Sequence, residues 1–110
     1  MENNKHTFTI LQLDEENTNV LRDHKLFKSW DMLNRTAGLN MQQYKSVYEG
    51  EIECDGLWKV LEELFKIFNT QHPEDYYGRS MSTSDIVILD GVKYYCDDWG
   101  WIEIETGKKI

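Results

Sequence analysis

Two short apolar runs separated by Asp90-Gly91 are the feature that most constrains the fold of this chain. Ile86–Leu89 is rich in β-branched residues, and Val92–Cys96 carries two tyrosines. An Asp-Gly pair between such runs favours a type I′ turn, because both central positions of that turn need positive φ. The sequence therefore predicts an antiparallel hairpin, which is stable only when further strands or a helix cover it.

Alternating apolar and polar residues predict three further strands. They are Thr7–Leu13, Tyr44–Glu53 and Trp99–Glu105. The first has apolar residues on both faces, which indicates an inner strand. In the second, Tyr44, Ser46, Tyr48, Gly50 and Ile52 are expected to share one face, and we interpret Gly50 as a β-bulge.

Two segments have helical spacing. Residues 20–34 place Leu26, Phe27, Trp30 and Leu33 on one side, with Asp23 as an N-cap candidate and Gly38 ending the helix. The second helix is predicted to begin after Asp55 as N-cap and to end at Asn69. Its apolar stripe comprises Leu57, Val60, Leu61, Leu64, Phe65, Ile67 and Phe68.

The order of these elements predicts an α+β domain. We expect a small, mainly antiparallel sheet of about five strands, with two helices packed on one face. The 110 residues suit a single domain spanning 1–110. Its ends, about residues 1–5 and 106–110, are expected to fray.

The charge of the chain restricts its partners. Formal net charge is -8, and residues 49–105 hold fourteen acids and four bases, a local net of -10. Phosphate backbones repel such a surface, so we expect no direct nucleic-acid binding, and a basic protein partner is favoured. We also expect a cytoplasmic protein, because no apolar run suits a signal peptide or a membrane span and two cysteines, Cys54 and Cys96, read as reduced thiols.

The segment His72–Leu89, read with Tyr94–Trp101, resembles the signature of YodL-like domains. Its residues are HPEDYYGRSMSTSDIVIL followed by YYCDDWGW, and Tyr44–Gly50 resembles an upstream element of the same family. The resemblance covers nearly the whole chain. It implies an accessory protein of a plasmid, phage or conjugative element, and the family motifs imply no enzymatic mechanism. Arg79 stands where the family often has His, and Trp99 and Trp101 stand where it often has Phe.

Several residue groups were weighed as chemical sites. The Arg79–Asp85 loop either binds phosphate or uses its hydroxyls to satisfy its own backbone, and the acidic surroundings favour the structural role. Adjacent carboxylates point apart on a helix or strand and do not suit acid–base catalysis; these pairs are Glu62-Glu63, Glu74-Asp75 and Asp97-Asp98. Three histidines (His6, His24 and His72) and two cysteines show no metal-ligand spacing. We therefore expect no enzyme, no metal and no cofactor.

Exposed acids and aromatics remain as candidate partner-binding residues. Glu49, Glu51 and Glu53 are expected on one strand face about 6.8 Å apart, either as a docking surface or as a solvated face. The full set comprises Glu49, Glu51, Glu53, Asp55, Tyr76, Tyr77, Asp97, Asp98, Trp99 and Trp101.

We expect a non-enzymatic module that inhibits a host defence nuclease, such as a CRISPR effector, by occluding its basic channel. The alternative is a structural or regulatory accessory protein for conjugation or replication. The sequence leaves open whether the protein is a monomer or a dimer.

Overall fold

The computed structural model describes residues 5–22, 25–36 and 38–110. One antiparallel sheet of six strands has the order β2-β1-β3-β4-β5-β6. The strands are β1 Lys5–Leu13, β2 Tyr44–Glu53, β3 Ile86–Leu89, β4 Val92–Cys96, β5 Trp101–Glu103 and β6 Lys108–Lys109. The helices are α1 Thr18–Arg22, α2 Trp30–Arg35 and α3 Leu57–Thr70, and Met41–Gln43 forms a 3₁₀ turn.

The predicted hairpin is present. β3 and β4 pair with Leu89 opposite Val92, and the connecting residues have φ of 50° at Asp90 and 86° at Gly91. His6 holds this turn from β1, with Nδ1 2.5 Å from Asp90 Oδ2. The side chain of Asp90 therefore anchors the turn to a neighbouring strand as well as tolerating its positive φ.

Both faces of the sheet are covered, whereas the sequence predicted helices on one face. The alternation along β3 explains this, because Val87 and Leu89 pack in the cluster under α3 while Ile86 packs in a second cluster on the opposite face. That second cluster includes Leu33 of α2. The hairpin strands thus lie inside a three-layer arrangement and are apolar in almost every position.

The bulge in β2 lies at Val47, where the sequence predicted it at Gly50. Ile10 pairs with Tyr48 and the next residue, Leu11, pairs with Ser46, so Val47 is the extra residue. A one-residue insertion reverses the facing of everything beyond it. Tyr48 therefore packs in the α3 cluster, and Tyr44, predicted on the same face, packs in the opposite one.

The predicted helix at 20–34 is two short helices. Phe27, between them, has φ 65°, which is incompatible with a continuous right-handed helix. Ser29 then caps α2 by accepting a hydrogen bond from the backbone N–H of Met32 at 3.2 Å. The proposed N-cap Asp23 and His24 lie outside the described residues.

The ends of the chain and of α3 also differ from prediction. The N-cap of α3 is Gly56 at φ 98° with no side-chain cap, so Asp55 does not cap it, and the C-cap is Gln71 instead of Asn69. The tail predicted to fray contains β6, which pairs with β5 through Ile102 and Lys109. Within the described residues, no helix is long and apolar enough to cross a membrane.

Candidate protein-binding surface

The predicted partner-binding residues do not form one surface. Glu49, Glu51 and Glu53 lie on β2, an edge strand, and we call them the glutamate edge. The segment Asp97–Trp101 follows β4, and two strands, β1 and β3, separate β4 from β2. The structure therefore divides the predicted site into two surfaces.

The glutamate edge faces water as predicted. All three glutamates and the following Asp55 are exposed. Lys5 of β1 lies next to them, with Nζ 3.2 Å from Glu51 Oε2. Since both side chains of this pair are more than half exposed, at 51% and 56%, the pair contributes little to stability.

Tyr76 and Trp101 were predicted as surface anchors, and the structure places both in the core. Tyr76 is 5% exposed and Trp101 is 0% exposed. The ring of Tyr76 packs edge-on against Phe68 at a centroid distance of 4.9 Å. Trp101 donates from Nε1 to Glu62 Oε2 at 2.9 Å. Their apolar area is already buried in the folded chain, so neither side chain can anchor a partner.

Two other tryptophans, Trp99 and Trp58, remain at the surface near Gly100. Trp99 is 81% exposed and Trp58 of α3 is 46% exposed. Gly100 follows Trp99 in the chain and lies against the Trp58 ring, because a Cβ built on it would be 3.2 Å from that ring. A side chain at position 100 would displace the indole, which gives this glycine a packing role.

Four carboxylates rim these two indoles. A groove of about 180 Å³ is lined by Glu62, Phe65, Asp97, Asp98 and Trp99 among others, and a shallower one of about 560 Å³ by Trp58, Glu62 and Glu63. The second groove also includes Lys59 and Lys66. We call the set Trp58, Glu62, Glu63, Phe65, Asp97, Asp98 and Trp99 the tryptophan corner.

The turn that presents Trp99 is tightly held. Asp97 donates its backbone N–H to the Gly100 carbonyl at 3.0 Å, and Asp97 Oδ1 accepts from the Trp30 backbone N–H at 2.9 Å. Gly100 has φ 82°, which favours glycine. Asp97 is therefore a positioning residue, and Asp98 and Trp99 form the exposed tip of the turn.

Trp58 was missed by the sequence analysis, although a signal was present. The apolar stripe of α3 includes Leu57 and Val60 but not position 58, so this tryptophan falls on the polar side of the helix. A tryptophan outside the stripe is expected at the surface, and together with exposed Trp99 it forms the kind of apolar patch that marks an interaction site.

The family motif folds into a buried polar cluster, which we define as Gln12, Tyr76, Arg79 and Asp85. Gln12 Nε2 lies 3.1 Å from Asp85 Oδ2 and donates to the Arg79 carbonyl at 2.9 Å, and Gln12 Oε1 accepts from the Arg79 backbone N–H at 2.9 Å. The Tyr76 hydroxyl also donates to the Arg79 carbonyl. These bonds tie the loop to β1.

The titratable groups of this interior are poor candidates for chemistry. Asp85 is fully buried, and burial raises its pKa to about 6, an effect that its hydrogen bonds and the Arg79 charge offset in part. Burial likewise raises the pKa of the Cys96 thiol to about 12, which disfavours the nucleophilic thiolate. Among the residues that the structure describes, no group of three His, Cys, Asp or Glu side chains could hold a metal ion.

Arg79 faces two protein carboxylates, although its Nε and Nη2 have no hydrogen-bond partner within the described residues. Its Nη1 lies 3.0 Å from Glu15 Oε1 and its Nη2 lies 3.8 Å from Asp85 Oδ1. It lines a surface cavity of about 390 Å³ together with Lys45 and Tyr77. Because carboxylates flank the guanidinium, the arrangement favours the structural interpretation of this loop over phosphate binding.

Comparison with known proteins agrees with the motif. Neither the curated proteins nor the solved structures contain a match to this chain. The family model for the YodL-like domain matches residues 7–106, which include most of β1, the polar cluster and the tryptophan corner. The chain therefore belongs to the family of YodL-like domains.

Proposed function

We propose that this YodL-like domain is a non-enzymatic protein-binding module of a mobile genetic element. In its most specific form, the proposal is a stoichiometric inhibitor of a host defence nuclease of the CRISPR effector type, whose basic nucleic-acid channel it occludes. The observation that carries the proposal is the tryptophan corner, where Trp99 is 81% exposed beside the carboxylates of Asp97 and Asp98.

The chemistry of the corner suits a basic protein. Tryptophan is enriched among residues that dominate binding energy, and its ring attracts Lys and Arg side chains through its quadrupole. Surrounding carboxylates raise the association rate with a positive surface. A nucleic-acid channel presents many Lys and Arg side chains, so one acidic protein can compete there with phosphate groups.

Two features support a binding role over catalysis. The carboxyl group with the most perturbed environment, Asp85, is fully buried and bonded to Gln12 and the Ser82 backbone. The exposed acids at the corner lie on a fixed turn and on the outer face of α3, beside aromatic anchors. Such a surface offers contact area and charge, which binding requires, without an enclosed reaction site.

Cleavage assays with a panel of purified, guide-loaded CRISPR effector nucleases test this function. We expect the protein to stop DNA cleavage by at least one member at about one equivalent. Trp99→Ala is expected to raise the half-inhibitory concentration at least about tenfold, since loss of a central aromatic anchor commonly costs 2 kcal/mol or more. Met32→Ala is the control, because Met32 is also a large apolar side chain, 49% exposed, outside the corner.

Two results would redirect the proposal. If no nuclease is inhibited at tenfold excess, the inhibitor version is wrong for that panel. If inhibition appears instead against a conjugative relaxase and depends on Trp99, the accessory role in conjugation or replication is the better description. Wild-type inhibition by the Trp99→Ala variant would show that the corner is not the binding surface.

A further inference from the structure

The outer edge of β2 is open to a further strand. β2 is ten residues long, Tyr44–Glu53, and it pairs only with β1 in the described sheet. The opposite edge, β6, has two residues. An edge strand presents unpaired backbone N–H and C=O groups, and the regular run beyond the bulge, Tyr48–Glu53, can template an incoming strand.

The direction of the free backbone groups follows from the pairing of β1. The Thr7 carbonyl accepts from the Asp90 backbone N–H at 2.9 Å, so the backbone groups of Thr7 point away from β2. Backbone groups alternate along a strand, so those of Phe8 point toward β2 and bond to Gly50, its partner. The groups of Glu49, Glu51 and Glu53 therefore point outward to the open edge.

An apolar pocket lies on the α3 side of this edge. It has a volume of about 220 Å³ and is lined mainly by apolar side chains, among them Phe8, Tyr48, Ile52, Leu64, Ile67 and Phe68. Gly50 lies at its rim, and a Cβ there would be 3.0 Å from the Phe8 ring. The Phe8 and Tyr48 rings already fill the space where a Gly50 side chain would lie, so the room for an apolar side chain of a neighbouring strand is the pocket itself.

The glutamate edge lies on the other face of β2 from this pocket. Residues directly opposite in paired strands share a face, and opposite charges there attract while like charges repel. A second copy of β2 added to this edge would bring acidic residues together. A strand with Lys or Arg at every second position would place its cations opposite Glu49, Glu51 and Glu53.

We propose that β2 binds a β-strand of its protein partner by strand addition, with Lys or Arg opposite the three glutamates and an apolar residue between them in the pocket beside Gly50. The inference rests on the proposed function in taking the partner to be a basic protein. It adds a second contact, on the sheet edge outside the tryptophan corner, and a sequence pattern for the partner.

A protective role for the glutamates is the competing explanation. Charged side chains on an edge strand prevent pairing between copies, and this needs no partner. The two explanations differ in one respect. Strand addition requires the outward backbone N–H groups of β2, whereas protection, or attraction by charge alone, requires only the carboxylates.

Amide NMR on the full chain, titrated with a ten-residue peptide of alternating Lys and Val, tests the proposal. We expect shift changes centred on Tyr44–Glu53 and slower hydrogen exchange, by about tenfold or more, at the amides of Glu49, Glu51 and Glu53. A peptide of the same sequence, N-methylated at the alternate residues whose N–H groups face β2, is expected not to bind, because it lacks the backbone donors on that edge.

Two variants at one position separate charge from backbone pairing. Glu51→Gln removes the charge and keeps the N–H, and a loss of affinity of about two- to fivefold is expected. Glu51→Pro removes both the charge and the backbone N–H, and a loss of affinity of more than about tenfold is expected. Proline is tolerated at this edge position because the N–H of residue 51 does not bond to β1. Circular dichroism of both variants checks the fold.

The outcomes are distinct. Equal binding of the N-methylated peptide, equal affinity of the two variants, or shift changes at the tryptophan corner would overturn strand addition. Trp99→Ala is expected to bind the peptide normally. Peptide binding can therefore fail while nuclease inhibition persists, or persist while inhibition fails, so the two proposals are tested separately.

Discussion

Arg79 lies across the buried polar cluster from Asp85, with Nη2 3.8 Å from Oδ1, which is too far for a direct hydrogen bond. Within the described residues, Asp85 Oδ1 has no hydrogen-bond partner although Asp85 is fully buried. Its other oxygen accepts from the Ser82 backbone N–H at 3.0 Å. Burial outweighs these contacts, and this is why the pKa of Asp85 is raised to about 6.

Asp85→Ala is expected to destabilise the domain by about 2–4 kcal/mol, because the substitution leaves Gln12 and the Ser82 N–H without their acceptor and the Arg79 charge without its buried counter-charge. Urea unfolding followed by circular dichroism measures this. Asp98→Ala, at the exposed tip of the corner, is the control and should change stability by less than about 0.5 kcal/mol. Equal effects of both variants would show that the cluster is not structural.

The raised pKa of Asp85 predicts a pH dependence of definite sign. Between its ordinary pKa of 3.8 and about 6, the folded state binds the proton more tightly than the unfolded state, so Asp85 lowers stability as pH rises through this window. Asp85→Asn removes this effect.

Unfolding free energies at pH 4 and pH 7 measure the difference. Asp85→Asn should gain about 2–3 kcal/mol relative to wild type between the two pH values, from ~1.4 kcal/mol per pKa unit. The hydrogen bond to Asp90 is the main cause of the raised pKa of His6. It stabilises the fold below pH 6.5, and this stabilisation is lost as the pH rises through the folded-state pKa. It is common to both proteins and cancels. A gap that is constant with pH would contradict the prediction.

The hairpin turn predicts a strong preference for glycine at position 91. Gly91→Val is expected to cost about 1–3 kcal/mol, because a β-branched residue is strained at φ 86°. Gly91→Asn is the matched variant, since Asn tolerates this conformation, and it should cost less than about 1 kcal/mol. An unchanged melting temperature for the valine variant would mean that the turn lies elsewhere.

Gly78 is required for a different reason. A Cβ there would lie 2.6 Å from the Tyr76 hydroxyl oxygen and 2.9 Å from Gln12 Oε1. Gly78→Ala is therefore expected to break the cluster and to cost about 1–3 kcal/mol. Ser80→Ala, an exposed neighbour, serves as the control. Retained stability in Gly78→Ala would show that the loop can shift away from β1 without losing the cluster.

The sequence predicted the elements whose signals are local. The Asp90-Gly91 turn and the apolar stripe of α3 both depend on neighbouring residues, and both are confirmed except at Leu57, which is 37% exposed. The facing of β2 was predicted correctly for residues 48–53 and wrongly for Tyr44 and Ser46, because the bulge at Val47 depends on pairing with β1. The helix at 20–34 was also wrong, since the positive φ of Phe27 has no marker in its residue type.

The candidate site was predicted only in part. Exposed Glu49, Glu51 and Trp99 follow from alternation and from the turn after β4, whereas the burial of Trp101 depends on α3 packing over β5. Charge composition alone does not show which cations are buried. Lys25 is 4% exposed and its Nζ lies 2.5 Å from Gln43 Oε1, so its substitution would test folding instead of docking.

The salt dependence of the association rate with an inhibited nuclease tests the central claim, docking through an acidic aromatic surface, most directly. Wild type should associate at least about tenfold more slowly as salt rises from ~50 to ~300 mM, because exposed charges are screened beyond ~8 Å. Asp98→Lys and the triple variant E49K/E51K/E53K should both associate more slowly at low salt. Arg35→Glu, on exposed α2, should not. Wild-type rates in both acidic-surface variants at low salt would contradict the claim.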